Sequence, residues 1–159
     1  MSDTRELACV LVPVHERLLL LPNVTVAEVV RMQRVQPVSN APPWLVGMTS
    51  WRGKVIPVLS PEAVLTDADA PEPPSPGCSL LVMNRSRPVD GLEFYVLLVR
   101  AMPRMLWVAA EDLSVLDGVL GAGEAARLKL GQDAVSVPHL PFFEDLVMQH
   151  KLTPGQRRH

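Results

Sequence analysis

Four histidines, two cysteines and a set of scattered carboxylates are the side chains here that could ligate a metal or move a proton. His15 falls in a turn signal, and His139, His150 and His159 lie in the last stretch of chain. None has metal-ligand spacing to another, or to Cys9 or Cys78. Asp67, Asp69 and Glu72 stand on a Pro-rich segment that cannot hold them in fixed geometry for acid–base work. No Gly-x-Ser-x-Gly elbow or Walker sequence occurs, and Gly118, Gly121 and Gly123 come in the wrong order for a dinucleotide loop. No active site, metal site or cofactor is expected. The chemistry that remains is recognition. Trp51-Arg52-Gly53-Lys54 separates two apolar runs and reads as a β-hairpin with Arg52-Gly53 at its apex, where Gly53 supplies the positive φ of a tight turn. A cation and an indole on a rigid tip suit gripping a partner. Arg52, Trp51, Gly53 and Lys54 are therefore the candidate binding residues.

The elements that must position this tip are mostly strands. Leu7–Val14 and Arg17–Leu21 are nearly continuous apolar runs joined by a tight turn at His15-Glu16, as in strands buried on two faces or inside a small barrel. Thr25 and Glu28 match a capping box, with Val26, Val29 and Val30 on one face of a short helix. Glu28 thus has two readings, as a helix cap or as a carboxylate orienting Arg52. Val35–Val38 is a short extended piece, and Pro42-Pro43 gives a rigid entry into the hairpin. Trp44 is expected to pack beneath the hairpin, and Pro57 to lie on an edge strand or at a bulge because it lacks an N–H. Further strands are expected at Cys78–Met83, Phe94–Val99 and Met105–Val108, with a turn from Arg85 to Gly91. Trp107 is placed in the core and Trp51 is the most exposed tryptophan. Residues 111–133 read as short helix and loop, Val135–Val137 as a last strand and Pro141–Met148 as a terminal helix. Many short strands with little helix give an all-β fold class of barrel type.

Composition narrows the partners. The chain has 159 residues, enough for a real core in one domain, and its formal net charge of −2 offers no general attraction to nucleic acid. Sixteen prolines argue against long helices. Residues 66–77 are acidic, Pro-rich and without a large apolar side chain, so a mobile loop is expected there, and residues 153–159 read as a frayed tail. Cys9 and Cys78 read as small buried thiols. The polar N-terminus is unlike a secretory signal and no apolar run could span a bilayer, so a cytoplasmic protein without membrane insertion is expected.

The residues Trp44-Leu45-Val46-Gly47 and Trp51-Arg52-Gly53-Lys54-Val55-Ile56-Pro57-Val58, with Leu20–Val30 upstream, resemble the signature of CheW-like domains. The wording is similar to the pilus-linked, ChpC/PilI-like type. The likeness is good over residues 7–65 and extends to the second half only in strand pattern. It implies two five-stranded SH3-like barrels side by side with a groove between them, in a single domain over 1–159. Their approximate limits are 7–65 and 78–150, separated by the loop 66–77. It also implies a non-enzymatic adaptor between the cytoplasmic tip of methyl-accepting chemoreceptors and the regulatory domain of a CheA-type histidine kinase, together with paralogous CheW-like proteins. The output would be twitching or flagellar motility. Arg52 would face these partners, and Gly47, Trp44, Pro57 and Trp107 would be structural. Ser50 and Ser60 depart from the usual Asn and Asp, which opens a reading as an accessory protein that binds kinase but not receptor. A nucleic-acid-binding small barrel is the competing class, and the net charge speaks against it.

Overall fold

The computed structural model describes residues 5–15, 17–66 and 73–152. Half of the expected loop at 66–77, residues 67–72, lies outside these, as do the tail 153–159, residues 1–4 and Glu16 of the first turn.

The strands β1 (Glu6–Val14) and β2 (Arg17–Pro22) pair antiparallel, with Val14 opposite Arg17. Their unbroken apolar runs have a simple cause. Cys9, Leu11 and Leu20 enter one core, and the alternate Val10, Val12, Val14, Leu19 and Leu21 enter another. The chain then builds β3 (Val26–Arg31), β4 (Leu45–Trp51), β5 (Lys54–Leu59), helix α1 (Pro61–Thr66), β6 (Ser79–Val89) and β7 (Leu92–Val99). It returns through β8 (Arg104–Ala109), β9 (Leu113–Val115), β10 (Glu124–Leu130) and β11 (Asp133–Pro138) to helix α2 (Leu140–Leu152).

The strands form two barrel-like sheets, one of six strands ordered β8-β1-β2-β11-β10-β9 and one of five ordered β3-β6-β7-β5-β4. Each has its own interior. Cys9, Leu11, Val108 and Val135 fill the first, and Ile56, Val58, Leu80, Val82 and Val96 fill the second. A third core lies between the sheets, where Val12 and Leu21 of one meet Leu81, Met83, Tyr95 and Leu97 of the other. Phe143 and Val147 of α2 complete it. The all-β architecture of paired barrels is what the strand pattern and the resemblance implied, with a sixth strand, β9, in one barrel.

Several expectations are corrected. The two barrels do not divide at residues 66–77. The five-stranded sheet is one contiguous stretch, β3 to β7, set between β2 and β8 of the six-stranded one. The segment after Thr25 is strand β3, not a helix. Thr25 Oγ1 donates to the Pro22 carbonyl at 2.7 Å instead of capping, and β3 alternates half-buried and exposed residues against β6. β-branched valines suit that half-buried pleated surface, and pairing overrides the local capping signal. The Arg85–Pro88 stretch stays in strand β6, and the turn is confined to Asp90-Gly91. Side-chain anchors to α2 account for this. Glu144, fully buried, accepts from the Ser86 N–H at 2.7 Å, the Ser86 hydroxyl at 2.8 Å and the Tyr95 hydroxyl at 2.9 Å, and Arg87 pairs with Asp145. Burial, reinforced by the neighbouring Glu144 charge, pushes the Tyr95 phenol upward. Residues 111–133, expected as helix and loop, contribute β9 and β10.

Pro57 is not on an edge, because β5 lies between β4 and β7. The parallel ladder to β7 begins only at Val58, one residue past the proline. Trp107 is not core. It is 67% exposed on the edge strand β8, facing opposite to Leu106 and Val108, which turn inward. Trp44 is half-buried against the core between the sheets, with an edge-on contact to His150 at 5.9 Å between ring centroids, rather than beneath the hairpin tip.

Candidate functional site

The β4–β5 hairpin turns through two residues, Arg52 and Gly53, with Trp51 paired to Lys54. Both turn residues have positive φ, 48° at Arg52 and 77° at Gly53. Glycine adopts this at no steric cost, but an arginine there carries roughly 1–2 kcal/mol of strain. Strain of this kind concentrates where a side chain must be displayed.

Glu28, from β3, decides between its two readings. Its Oε1 accepts from Trp51 Nε1 at 3.0 Å and from Arg52 Nη2 at 3.0 Å, and it caps no helix. The Arg52 guanidinium also sits 5.0 Å over the Trp51 ring, a cation–π distance. Phe94 of β7 meets Trp51 edge-on at 4.8 Å between centroids, so Trp51 is half-buried rather than the most exposed tryptophan. The result is an arginine side chain 70% exposed yet held from two sides, by a carboxylate that is itself 39% exposed and by an indole. At this exposure the ion pair adds at most about 1 kcal/mol to folding, so its effect is mainly on geometry.

Around the tip, Lys54 pairs with Glu93 at 2.9 Å, and that ammonium holds the Glu93 carboxyl below its ordinary value. Gln33 donates to Thr49 Oγ1 at 2.8 Å and to the Ser50 carbonyl at 2.6 Å, and Thr49 donates to the Arg34 carbonyl at 2.9 Å. The strands β3 and β4 are the two edges of their sheet and share no ladder. Side chains from Glu28 to Gln33 therefore close this barrel beside the turn. Below it, Gln36 bridges to Met48 across Gly47, where a Cβ would run into the Gln36 carbonyl oxygen. Only glycine permits that approach.

Of the residues singled out from sequence, Glu28, Trp51, Arg52, Gly53 and Lys54 thus stand together on one rim, while Trp44 and Trp107 lie elsewhere. Phe94, Gln33 and Glu93 were not foreseen; each reaches the tip from a strand or loop remote in sequence, and no local motif marks them. Ser60 has a structural explanation. Buried, it caps α1 by accepting the Ala63 N–H on its hydroxyl at 3.2 Å, a task that Ser and Asp perform equally well. Cys9 and Cys78 are both buried and free, and burial raises the Cys9 thiol. Among the described residues no group of three or more His, Cys, Asp or Glu side chains could hold a metal ion, and no helix is long and apolar enough to cross a membrane.

Paired barrels of this kind are the frame of an adaptor module. Comparison with known families makes this specific: residues 8–135 match the CheW-like domain, and the chain belongs to that family. Membership places it among the non-enzymatic adaptors of chemotaxis. Among solved structures it is similar to the scaffolding protein TtCheW from Thermoanaerobacter tengcongensis, with a TM-score of 0.69, 18% identity and 86% of each chain covered. At that identity the likeness speaks for the fold. Comparison with curated proteins gives no match.

Proposed function

We propose that the chain couples methyl-accepting chemoreceptors to a CheA-type histidine kinase and that the Arg52 turn is its grip. The observation that carries this reading is the exposed guanidinium, fixed by Glu28 and Trp51 on a turn whose backbone is strained to present it. An arginine ordered before binding loses less side-chain entropy on docking than a free one. A kinase regulatory domain built on the same barrels would be met along strand edges, and a receptor tip in the groove between barrels. Each contact is weak alone, and repetition in a membrane-associated array supplies avidity. The pilus-linked pathway is the preferred output, on the wording of the signature. Ser60, being a helix cap, lends no weight to a kinase-only accessory role.

Separate pull-downs with receptor tips and with the kinase regulatory domain test this reading. Arg52→Glu should abolish capture while shifting unfolding by no more than about 1 kcal/mol. Full capture by a folded Arg52→Glu protein would overturn the role of the turn.

A further inference from the structure

The six-stranded barrel contains an apolar hollow of about 550 Å³, none of whose lining residues belongs to the Arg52 rim. Its walls come from all six strands, with Leu7 and Cys9 of β1, Leu20 of β2, Val108 of β8, Leu113 of β9, Leu128 of β10 and Val137 of β11. The edge strands β8 and β9 are joined through the Ala110–Asp112 turn and share no ladder, so the barrel stays open there. Leu7 at the mouth faces inward by strand alternation, in step with Cys9 and Leu11, yet is 53% exposed. Arg5, two residues earlier, also lines the chamber and forms no hydrogen bond or ion pair among the described residues. Glu6 reaches the rim as well, but the same alternation sets its side chain on the opposite face.

We infer that this chamber binds a medium-chain fatty carboxylate, with the hydrocarbon chain inside the barrel and the carboxylate on Arg5. The volume lies within the roughly 300–1,000 Å³ of small-molecule sites, and the mouths of β-barrels are among their usual places. Apolar surface open to water in this way gains by being covered with hydrocarbon. The wall offers little that could hydrogen-bond a polar ligand body, so the occupant must be apolar along its length. The guanidinium at the entrance, without a partner among the described residues, selects an anionic end. A hollow of about 550 Å³ is too small for a folded domain, whereas an unbranched chain fits it.

Calorimetric titration of the full chain with sodium octanoate, decanoate and dodecanoate, each below micelle formation, tests this. One molecule should bind per chain, with affinity rising roughly fourfold per added methylene. Arg5→Gln should weaken decanoate severalfold and leave 1-decanol unchanged, and Leu128→Trp, which fills the chamber, should lose both. Should Leu128→Trp fail to fold, a reading in the native protein decides: decanoate should slow alkylation of Cys9 by iodoacetamide and leave Cys78 unaffected. Absence of saturable binding, several molecules per chain, affinity indifferent to chain length, or an unprotected Cys9 would overturn the inference. So would dimerisation through the open mouth, seen by sedimentation without any amphiphile.

Discussion

In the five-stranded barrel the free edges β3 and β4 are joined by side chains, Glu28 to Trp51 and Gln33 to Thr49. In the six-stranded barrel β8 and β9 meet only through a short turn and leave the interior accessible. Both sheets have well-filled cores elsewhere, so the difference lies at the seam alone. A seam closed by polar side chains gives a stiff rim on which an arginine can be displayed. A seam left open gives an apolar mouth lined by the same strands that build the barrel. One fold used twice thus yields two kinds of surface.

The largest expected effect comes from cutting what ties the two barrels together. Arg100 follows β7 of the five-stranded sheet, and its backbone N–H donates to Pro13 of β1 at 2.9 Å. Its guanidinium holds the buried Glu62 carboxylate through two bonds of 2.7 Å, and Glu62 also accepts the His15 N–H. Burial alone would raise the Glu62 carboxyl, but Arg100 and the His15 N–H outweigh it and hold it below its ordinary value. Arg100→Ala leaves that charge uncompensated, and urea unfolding should show a loss of about 3–5 kcal/mol. A single transition would mean the barrels unfold together, and two transitions would mean that they are separable units.

Acid separates the two barrels next. Glu124 of β10 is buried and would be raised by that burial. Hydrogen bonds from Arg127, Ser136 and the Gly121 N–H outweigh it and bring the carboxyl to about 2. Its folded value is depressed, so its contribution is complete above the ordinary 4.5 and is lost as pH falls towards 2. Glu124→Gln should cost about 2–3 kcal/mol at neutral pH and flatten the acid limb of the stability curve, read by thermal melts from pH 7 down to about pH 2. Arg17, 3.3 Å away on β2, links this cluster to the six-stranded sheet alone, so the five-stranded rim should be insensitive.

Glu28→Ala opens the closed seam. The loss of two half-exposed bonds should cost about 1–2 kcal/mol in chemical denaturation, while partner capture falls as far as it does for Arg52→Glu. Arg52→Gly should change stability by less than about 1 kcal/mol, because relief of the left-handed backbone offsets the lost ion pair. It should still abolish capture in the same pull-downs. Intact capture by Arg52→Gly would separate the shape of the turn from its charge.

The hairpin was legible because its signal is local: two apolar runs, a glycine and a two-residue spacing place Arg52 at a tip without knowledge of the rest. The first two strands were legible for the same reason. Glu28 was readable only as an ambiguity, since Thr25 and Glu28 satisfy a helix rule that pairing with β6 overrides. Trp107 misled because an apolar run does not say whether its strand lies at the edge, where alternate residues face solvent. The strands β9 and β10 were hidden by glycines and charges. Glu124 and Arg127 look like loop residues until the ion pair that buries one of them is formed.

The insertion of one barrel's sequence within the other's governs how the protein is made. A nascent chain leaving the ribosome presents β1 and β2 first, but their sheet neighbours β8 and β11 are among the last strands to emerge. The inner barrel can close as soon as Val99 is out, while an almost wholly apolar hairpin waits beside it unpaired on both edges. Both edges of this hairpin therefore stay open to other chains until Arg104 and the strands after it emerge.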